Sequence, residues 1–446
     1  MIYKGYNINY IMNITDIDDK ILNKVSKFTN TTDKEYWKKY INFVRKMEEE
    51  FWEDLKSLDI LMPSEITRVT DYINNMKHFV EKIEDNNLAY TSNGSVYFDT
   101  NEYINRGYKI PPFHNLNNDN GYSTEHINDK KNSNDFALWK KSKSGELSFH
   151  SKWGDGRPGW HLECSTMAYD KFGDTLDIHS GGIDLKFPHY QNEILQTNAY
   201  LEKPNHQWIK YFLHAGHLNI DGLKMSKSLK NFITIKDYLE NVGTSRELRL
   251  LFLTHNWDKS LDYNESSLME IRNLDNRLQE FIDNLSFSIK EENKIATKSG
   301  ELFEILEKLQ KDIEEALNDN FNTVKVMDYI YGNIPNIYNN IDKYNNKELI
   351  EYSEYILEII EMFGLDYKRE KILDTDNFIK LGINLREDIR KTLLKHKKEI
   401  SNEAFKELFT ILDDFRDVKM ANSGIIIQDR SNDKKTKYII DNKKTK

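Results

Sequence analysis

The chain has 446 residues and a formal net charge of −10, with 63 Lys and Arg against 73 Asp and Glu. That length allows two or three domains, and 38% hydrophobic with 30% charged residues is ordinary for a soluble protein with a sizeable core. The single cysteine excludes internal disulfides and suits a reducing compartment. The acidic total argues against a nonspecific nucleic-acid binder, but it leaves room for a local basic face.

The N-terminal third shows alternating periodicities. Residues 6–16 alternate apolar and polar side chains, which predicts a strand ending at Thr15. Residues 34–58 carry apolar side chains at helical spacing and predict a helix. Residues 64–145 predict a second helix followed by a hairpin at TSNGSVYFDT, and the Asn- and Asp-rich stretch 114–134 predicts a loop.

The remainder of the chain shifts from mixed to helical character. Residues 175–179 and 210–214 predict parallel strands, each followed by a helix or turn, and from residue 264 onwards the periodicity is almost only helical. The lysine-rich tail from Asp433 predicts disorder. Three residues predict a helix break or stop: Pro335, Gly364 and Gly382.

The only cysteine, Cys164, lies in GRPGWHLECSTM, ahead of the segment FPHYQNEI. In that segment His189 and Glu193 are four residues apart, so on a helix they share one face. A thiolate, an imidazole and a carboxylate can hold zinc and leave one position open for substrate. The residues alone leave a second interpretation open, in which Cys164 is a small buried hydrophobe and the His–Glu pair is an ordinary helical neighbour pair.

A second signal is the segment Lys224-Met225-Ser226-Lys227-Ser228, which follows a turn containing glycine. Lysine acts as a movable point charge on phosphate, and the charge that develops on a departing pyrophosphate must be met by cations. The segment therefore predicts a mobile loop that neutralises a triphosphate. A solvated basic turn remains the alternative interpretation of these residues.

With both signals in this order, the chain resembles the cysteinyl-tRNA synthetases, which are class I aminoacyl-tRNA synthetases. The resemblance extends from the N-terminus to about residue 430, and LKNFITIKD looks more like the eukaryotic branch than the bacterial one. The matching segments are collinear: NITDIDDKI at 13–21, DFALWKKSKSGE at 135–146, WGDGRPGWHLECSTM at 153–167, DIHSGGIDLKFPHYQNE at 177–193, WIKYFLHAGHLNIDGLKMSKSLKNFITIKD at 208–237 and NDNFNT at 318–323.

One part of the family pattern has no counterpart here. The family opens with a strand carrying a first zinc-ligand cysteine, followed by a helix with the signature His-Ile-Gly-His, whereas this chain opens with MIYKGYNINYIMNITDIDD, which resembles the stretch after that helix. His-Ile-Gly-His itself does not occur in the sequence, and the His-x-Gly-His at 214–217 lies far downstream, within the matching segment 208–237. This departure leads us to expect an incomplete gene model or a fragment, in which ATP binding, the zinc site and the folding of the first half-sheet are all affected.

The resemblance implies an α/β fold in which an N-terminally incomplete Rossmann-type class I catalytic domain precedes an α-helical bundle that binds the anticodon. It also implies six consecutive segments: the partial first Rossmann half at 1–48, a connective insertion at 49–145, the second half with the zinc site at 146–222, the lysine loop and stem-contact region at 223–285, the anticodon-binding helices at 286–428 and a disordered tail at 429–446.

By resemblance, Cys164, His189 and Glu193 are three of the family's four ligands to one Zn²⁺ per chain. The purpose of that zinc is selectivity, because serine is nearly isosteric with cysteine and apolar pockets discriminate only roughly 10–200-fold per methylene-sized difference. Zinc favours soft sulfur and can take the substrate thiolate directly.

The resemblance also assigns roles around ATP, which is a substrate that arrives with Mg²⁺. Lys227, assisted by Lys224, contacts the ATP phosphates and stabilises the adenylation transition state. Asp184 contacts the adenosine ribose, while Gly182 and its neighbour Gly181 let the backbone approach closely. Four residues line the amino-acid pocket: Thr15, Trp160, His179 and Asp184.

The expected partners are L-cysteine, ATP and cysteine tRNA in the cytoplasm, without a membrane. The helical region 290–428 is expected to read the anticodon, and the segment after Ser228 to reach toward the acceptor stem. A basic cluster suited to phosphate contributes to this expectation, although a solvated helix face is the alternative: Lys391, Lys395, Lys397 and Lys398.

Two other functions stay open at this point. One is the related cysteine–amino-sugar ligase of mycothiol synthesis, which shares the zinc and lysine motifs but lacks the long helical region seen here at 290–428. The other is a catalytically impaired derivative that retains tRNA binding, because the ATP-binding signature is absent.

Overall fold

The computed structural model describes residues 1–26, 33–111, 113, 127–143, 147–225, 231–290, 300–367, 375–422, 425–428 and 437–440. It divides into two compact units, Met1–Leu268 and Met269–Lys446. No helix among the described residues combines the length and the apolar character needed to cross a bilayer.

The first unit is an α/β assembly of short sheets and covering helices. Its strands are β1 (Ile11–Ile14), β2 (Glu65–Arg68), β3 (Ala89–Ser92), β4 (Ser95–Phe98), β5 (Ala137–Lys141), β6 (Gly156–Pro158), β7 (Leu176–Gly182), β8 (Ile209–Ala215), β9 (Leu218–Ile220), β10 (Leu223–Lys224) and β11 (Leu261–Tyr263). Its helices are α1 (Asp19–Ser26), α2 (Asp33–Ser57), α3 (Ile73–Asp85), α4 (Thr100–Asn105), α5 (Trp160–Phe172), α6 (Gln191–Leu201), α7 (Ile235–Asn241) and α8 (Ser245–Leu253), and α9 (Glu265–Lys290) begins at its end.

Two pairs of parallel strands, β1–β2 and β7–β8, include the strands that precede the predicted site residues Thr15 and Asp184. Parallel strands need a crossover connection, and helices supply it here. The predicted strands at 175–179 and 210–214 are therefore confirmed as β7 and β8. The strand predicted for 6–16 is shorter, because only Ile11–Ile14 pairs with β2. The alternation before it does not reflect burial, since Tyr6 is 66% exposed.

The other sheets of the unit are antiparallel or mixed. Strands β3 to β6 form an antiparallel sheet, in which the predicted hairpin appears as β3 and β4. Strand β9 lies between β10 and β11. The helix predicted for 34–58 is confirmed as α2. Most of the loop predicted at 114–134 lies outside the described residues, apart from a 3₁₀ turn at Ile127–Asp129 and the residues after it.

One apolar core joins helices α1 to α6 of this unit to the antiparallel sheet. Its members include Tyr40 of α2, Met76 of α3, Phe98 of β4, Leu162 of α5 and Leu195 of α6, each at most 1% exposed. Burying a large apolar side chain stabilises a fold by roughly 1.5–3 kcal/mol. This packing fixes α5 and α6 against each other, and these two helices, with the turn that leads into α6, carry the candidate metal ligands.

The second unit is mainly helical. It continues α9 and adds α10 (Glu301–Asn318), α11 (Thr323–Asn340), α12 (Asn346–Met362), α13 (Thr375–Lys395), α14 (Asn402–Asp414), β12 (Ile425–Gln428) and β13 (Lys437–Ile440). The helix stop predicted near Gly364 is confirmed, because α12 ends at Met362 and Gly364 has a φ of 68°, in the left-handed region that glycine favours.

The other two predicted breaks are wrong. Pro335 lies inside α11, and the Tyr331 carbonyl that its missing N–H would have bonded accepts a hydrogen bond from Arg277 Nη2 at 3.0 Å instead. Gly382 lies inside α13, where the buried neighbours Ile379 and Ile383 hold the helix in place. Tertiary packing outweighs the cost of about 1 kcal/mol for glycine in a helix.

The disordered tail predicted from Asp433 is wrong for residues 437–440. Strand β13 pairs antiparallel with β12, and Tyr438 packs against a cluster that includes Ile427. The lysine-rich composition concealed a short apolar alternation that has a partner strand. Residues 433–436 and 441–446 lie outside the described residues.

Candidate active site

The candidate metal ligands come from two packed segments of the first unit. Cys164 lies in the second turn of α5. His189 lies in the turn Lys186–Tyr190, which leads directly into α6, where Glu193 occupies the first turn. The non-helical backbone of Phe187 (φ −140°, ψ 132°) introduces a kink inside this turn, two residues before His189. The fold therefore brings together two segments that are 25 residues or more apart in sequence.

The three ligand atoms are close enough for one metal ion. The Cys164 thiol, a His189 ring nitrogen and a Glu193 carboxylate oxygen all lie within 4.8 Å of one another. The His189 Nε2 to Glu193 Oε1 distance is 3.0 Å, and ligands of tetrahedral zinc, at bonds of about 2.0–2.3 Å, are about 3.5 Å apart. The donor set and its spacing therefore fit zinc.

The charges at this site are arranged around a fully buried carboxylate. Burial raises the pKa of Glu193, but the imidazoles of His179 and His189 outweigh burial and lower that pKa to about 2. His179 Nε2 lies 3.3 Å from Glu193 Oε2. Burial lowers the pKa of His179, but the Glu193 carboxylate raises it above its ordinary value. Glu193 is therefore an anion within a pair of imidazoles.

The Cys164 thiol, in contrast to the Glu193 carboxylate, favours its protonated form. Burial, together with the negative charges of Glu193 and Glu163, raises the pKa of Cys164 well above its ordinary value. Asn13 Nδ2 lies 3.7 Å from the Cys164 sulfur. A bound cation reverses this preference because it stabilises the thiolate, which is the form that ligates metal.

His161 is a member of this site that the sequence interpretation missed. Its Nδ1 lies 2.8 Å from Nδ1 of His189, and burial followed by the charge of His189 lowers the pKa of His161 to about 3. The ring of Trp160 lies 4.4 Å from that of His189, centroid to centroid. A histidine directly after Trp160 was the only sequence signal, and nothing in its spacing predicted contact with His189.

The four residues predicted to line the amino-acid pocket lie in three different places, of which Asp184 occupies one. Trp160 and His179 contact the candidate metal ligands, as described above. A cavity of 440 Å³ lies beside them and is lined by Asn13, Cys164 and His179. Thr15 instead lines a different cavity, with Asp16 and Phe43 among its neighbours.

Asp184 lies past the end of β7, where the chain turns. Its carboxylate is 3.6 Å from Nζ of Lys224 on β10, and both side chains are more than half exposed. Gly182 lies two residues before Asp184 and is in close contact with it, because a Cβ on Gly182 would lie only 2.5 Å from Asp184 Oδ1. The structure therefore brings together Asp184, Gly182 and Lys224. Lys227 and the rest of 226–230 lie outside the described residues.

A cluster of three aromatic rings, Tyr190, Phe212 and His214, borders the carboxyl ends of β7 and β8. The rings of Tyr190 and His214 stack at 5.4 Å, and those of Phe212 and His214 stack at 5.8 Å with an interplanar angle of 11°. The Tyr190 hydroxyl sits so close to Gly181 that a Cβ there would lie 2.0 Å from it. Nucleotides bind outside the carboxyl ends of parallel strands in Rossmann-type sheets, so this ring cluster borders the place where ATP is expected to bind.

The basic cluster belongs to the second unit, at the end of α13 and in the turn that follows. All four lysines are exposed, and Lys397 Nζ lies 5.1 Å above the ring of Phe405 on α14. Arg390 lies 5.9 Å from the ring of Phe409, and the two phenylalanine rings are 4.7 Å apart. Cations and partly exposed rings therefore share one helical surface.

Comparisons with known proteins agree on one family. A family model described as tRNA synthetases class I (C) catalytic domain matches residues 1–273. The cysteine–tRNA ligase of Encephalitozoon cuniculi is 40% identical over 434 residues, covering 96% of this chain and 86% of that protein. The cytoplasmic cysteine–tRNA ligase of Dictyostelium discoideum is 38% identical over 462 residues, covering 96% and 68%.

The solved structures give the same fold. A methionyl-tRNA synthetase of Mycobacterium tuberculosis in complex with methionyl-adenylate is similar at a TM-score of 0.55, covering 79% of this chain and 81% of that chain. At 13% identity the likeness concerns the fold alone.

Proposed function

Because the chain belongs to the class I cysteine–tRNA ligases, we propose that it activates L-cysteine with ATP and transfers it to cysteine tRNA, with zinc selecting the substrate thiolate. The predicted family, fold class and enzyme class are confirmed by this membership. The observation that carries the zinc-dependent part is the convergence of Cys164, His189 and Glu193 within 4.8 Å.

In the proposed first step, a carboxylate oxygen of cysteine attacks the α-phosphorus of ATP, the bond to the β-phosphate oxygen breaks, and pyrophosphate leaves. Lys227 and Lys224 neutralise the charge that accumulates on the departing phosphates. Asp184 orients the ribose, and its carboxylate lies 3.6 Å from Nζ of Lys224, so the two groups can act on the same nucleotide. In the second step a ribose hydroxyl of the tRNA attacks the acyl carbon and AMP leaves.

Selectivity follows from the donor set. A zinc ion held by Cys164, His189 and Glu193 supplies a Lewis-acid partner for the substrate sulfur, an interaction that the serine hydroxyl does not match. His179 and His189 keep Glu193 ionised, as its pKa of about 2 indicates. The ring of Trp160 packs against that of His189 at 4.4 Å, centroid to centroid, and supports its orientation.

The proposed tRNA contact lies in the second unit. Lys391, Lys395, Lys397 and Lys398 supply phosphate-binding charge, and Phe405 offers a ring for base stacking. The names of the relatives include cytoplasmic ligases, which supports the cytoplasm as the place of action.

The test is amino-acid-dependent exchange of pyrophosphate into ATP by the purified full chain, with cysteine and with serine. We expect cysteine to support exchange and serine to be rejected by more than roughly 200-fold, which exceeds what an apolar pocket achieves for a methylene-sized difference. Equal rates with the two amino acids would contradict zinc-based selection. Binding of tRNA without any exchange would instead support the catalytically impaired derivative, and transfer of cysteine to an amino sugar would support the amino-sugar ligase.

A further inference from the structure

Helix α6 buries an exceptional number of polar side chains beside the candidate metal centre. Burying a polar side chain costs free energy unless the side chain is hydrogen-bonded, so a cluster of buried polar side chains on one helix indicates a specific role. Six side chains of α6 are at most 3% exposed: Gln191, Asn192, Glu193, Gln196, Thr197 and Asn198.

Among them, Gln196 makes two short hydrogen bonds to α5. Its Nε2 donates to the His161 carbonyl oxygen at 2.5 Å and to the Ser165 hydroxyl oxygen at 2.6 Å. The two bonds use both amide hydrogens, and a flipped amide would place its oxygen against the His161 carbonyl oxygen. The orientation of the Gln196 amide is therefore fixed.

Each of the two acceptors leads on to a candidate metal ligand. Ser165 Oγ donates to the Glu193 carbonyl oxygen at 3.3 Å, and Ser165 directly follows Cys164 in α5. His161 contacts His189 through their Nδ1 atoms at 2.8 Å. One amide group is thus linked through one intermediate residue to each of the segments that carry Cys164, His189 and Glu193.

We propose that Gln196 is a positioning residue of the metal centre, which holds α5 against α6 so that the thiol, the imidazole and the carboxylate keep the spacing that one ion requires. The inference rests on the proposed zinc-dependent function. Ligand atoms must stay within a few tenths of an ångström of their bonding distances. Loss of a residue that supports metal ligands typically lowers metal affinity roughly 10- to 100-fold.

The test compares Gln196→Leu with the full wild-type chain. Zinc affinity is measured by competition with a chromophoric chelator, and ligand geometry by the visible spectrum of the Co²⁺-loaded protein. We expect roughly 10- to 100-fold weaker zinc binding and an altered Co²⁺ spectrum. Ser165→Ala, which removes one of the two acceptors, should shift both readouts in the same direction and serves if Gln196→Leu does not fold.

The matched control is Thr197→Val, on the same helix. Thr197 is fully buried, and its hydroxyl has no hydrogen-bond partner among the described residues, so this change should leave zinc affinity and the Co²⁺ spectrum as in the wild type. Wild-type affinity and an unchanged spectrum in Gln196→Leu would overturn the inference, as would a lower thermal midpoint with unchanged metal binding. If the wild type itself binds no zinc, the zinc-dependent function fails and the inference fails with it.

Discussion

At the scale of single residues, the central feature is a buried anion next to a thiol that resists ionisation. Glu193 is kept ionised by two imidazoles, whereas burial and the neighbouring carboxylates keep the proton on Cys164. A zinc ion bound here, as we propose, would favour the Cys164 thiolate, because the thiolate is the form of cysteine that ligates zinc.

Replacing Cys164 with serine should therefore remove the metal. We expect the purified wild type to carry close to one zinc per chain and Cys164→Ser to carry far less, measured by elemental analysis after dialysis. His150→Ala is the control, because the side chain of His150 is 90% exposed and its Nδ1 lies 3.1 Å from the carboxylate of Asp155, which is not a candidate ligand. Equal zinc in wild type and Cys164→Ser would exclude Cys164 as a ligand.

Lys227 provides the second prediction at this scale. A positioned charge that meets developing negative charge in the transition state contributes about 3–4 kcal/mol, or roughly 10²–10³ in rate. Lys227→Ala should reduce cysteine-dependent pyrophosphate exchange by that factor while tRNA affinity changes little. Lys230→Ala, three residues further along the sequence, is the control. A parallel loss of exchange and tRNA binding would indicate a structural role.

The residue scale also shows where sequence interpretation ends. The spacing of His189 and Glu193 predicted their shared face, and the order of the motifs placed Cys164 beside them. His161 could not be predicted, because its contact with His189 arises only when α5 packs against the turn before α6. Thr15 is the opposite case, a residue predicted for the amino-acid pocket because it lies past the end of β1. In the structure it lines a different cavity, together with Phe43 of α2.

At the scale of elements, the pairing of α2 with β2 gives a pH-dependent contribution to stability. Arg68 donates to both carboxylate oxygens of Glu48, with Nε distances of 3.1 Å and 3.0 Å. Hydrogen bonding from Arg68, opposed by burial, lowers the pKa of Glu48. A lowered native pKa stabilises the fold above the unfolded value of about 4.3, and this contribution is lost as the pH falls through the native value.

Glu48→Gln should therefore lower the free energy of unfolding by about 1 kcal/mol at pH 7, with the difference shrinking below about pH 4.3. All seven tryptophans lie in the first unit, so urea unfolding followed by tryptophan fluorescence reports on this unit. Glu49→Gln, an exposed neighbour, is the control. A difference that persists unchanged down to pH 2 would show that the ion pair is not its origin.

The basic cluster at the end of α13 and in the turn that follows supports a prediction about nucleic acid. Changing Lys391, Lys395, Lys397 and Lys398 to glutamate should weaken cysteine tRNA binding steeply and flatten its dependence on salt, because fewer counterions are released. Pyrophosphate exchange should stay intact. The matched control introduces the same charge change at four exposed lysines elsewhere in the unit: Lys308, Lys311, Lys343 and Lys347. Equal effects of both sets would place the tRNA contact elsewhere.

Elements were predicted where one periodicity dominated, as in α2, β7 and β8. Predictions failed where a distant partner decided the outcome. Pro335 stays helical because Arg277 bonds the carbonyl that proline leaves free, and β13 forms because β12 offers a matching apolar edge. Neither partner is visible in a local window of sequence.

At the scale of the whole molecule, the family and the α/β fold with a helical second unit could be predicted because many collinear motifs point to them. The arrangement of short sheets and the positioning contacts around the metal ligands could not, because they depend on packing between segments far apart in the chain. The function that we propose nevertheless depends on both units, the first for activation of cysteine and the second for contact with tRNA.

The most direct test is therefore the complete reaction. The purified full chain is incubated with ATP, Mg²⁺, radiolabelled cysteine and cysteine tRNA, and the label attached to tRNA is counted, with serine tRNA as the control acceptor. We expect ATP-dependent attachment of cysteine to cysteine tRNA only. Binding of cysteine tRNA without attachment of cysteine, at zinc saturation, would contradict the proposal that this chain is an active cysteine–tRNA ligase.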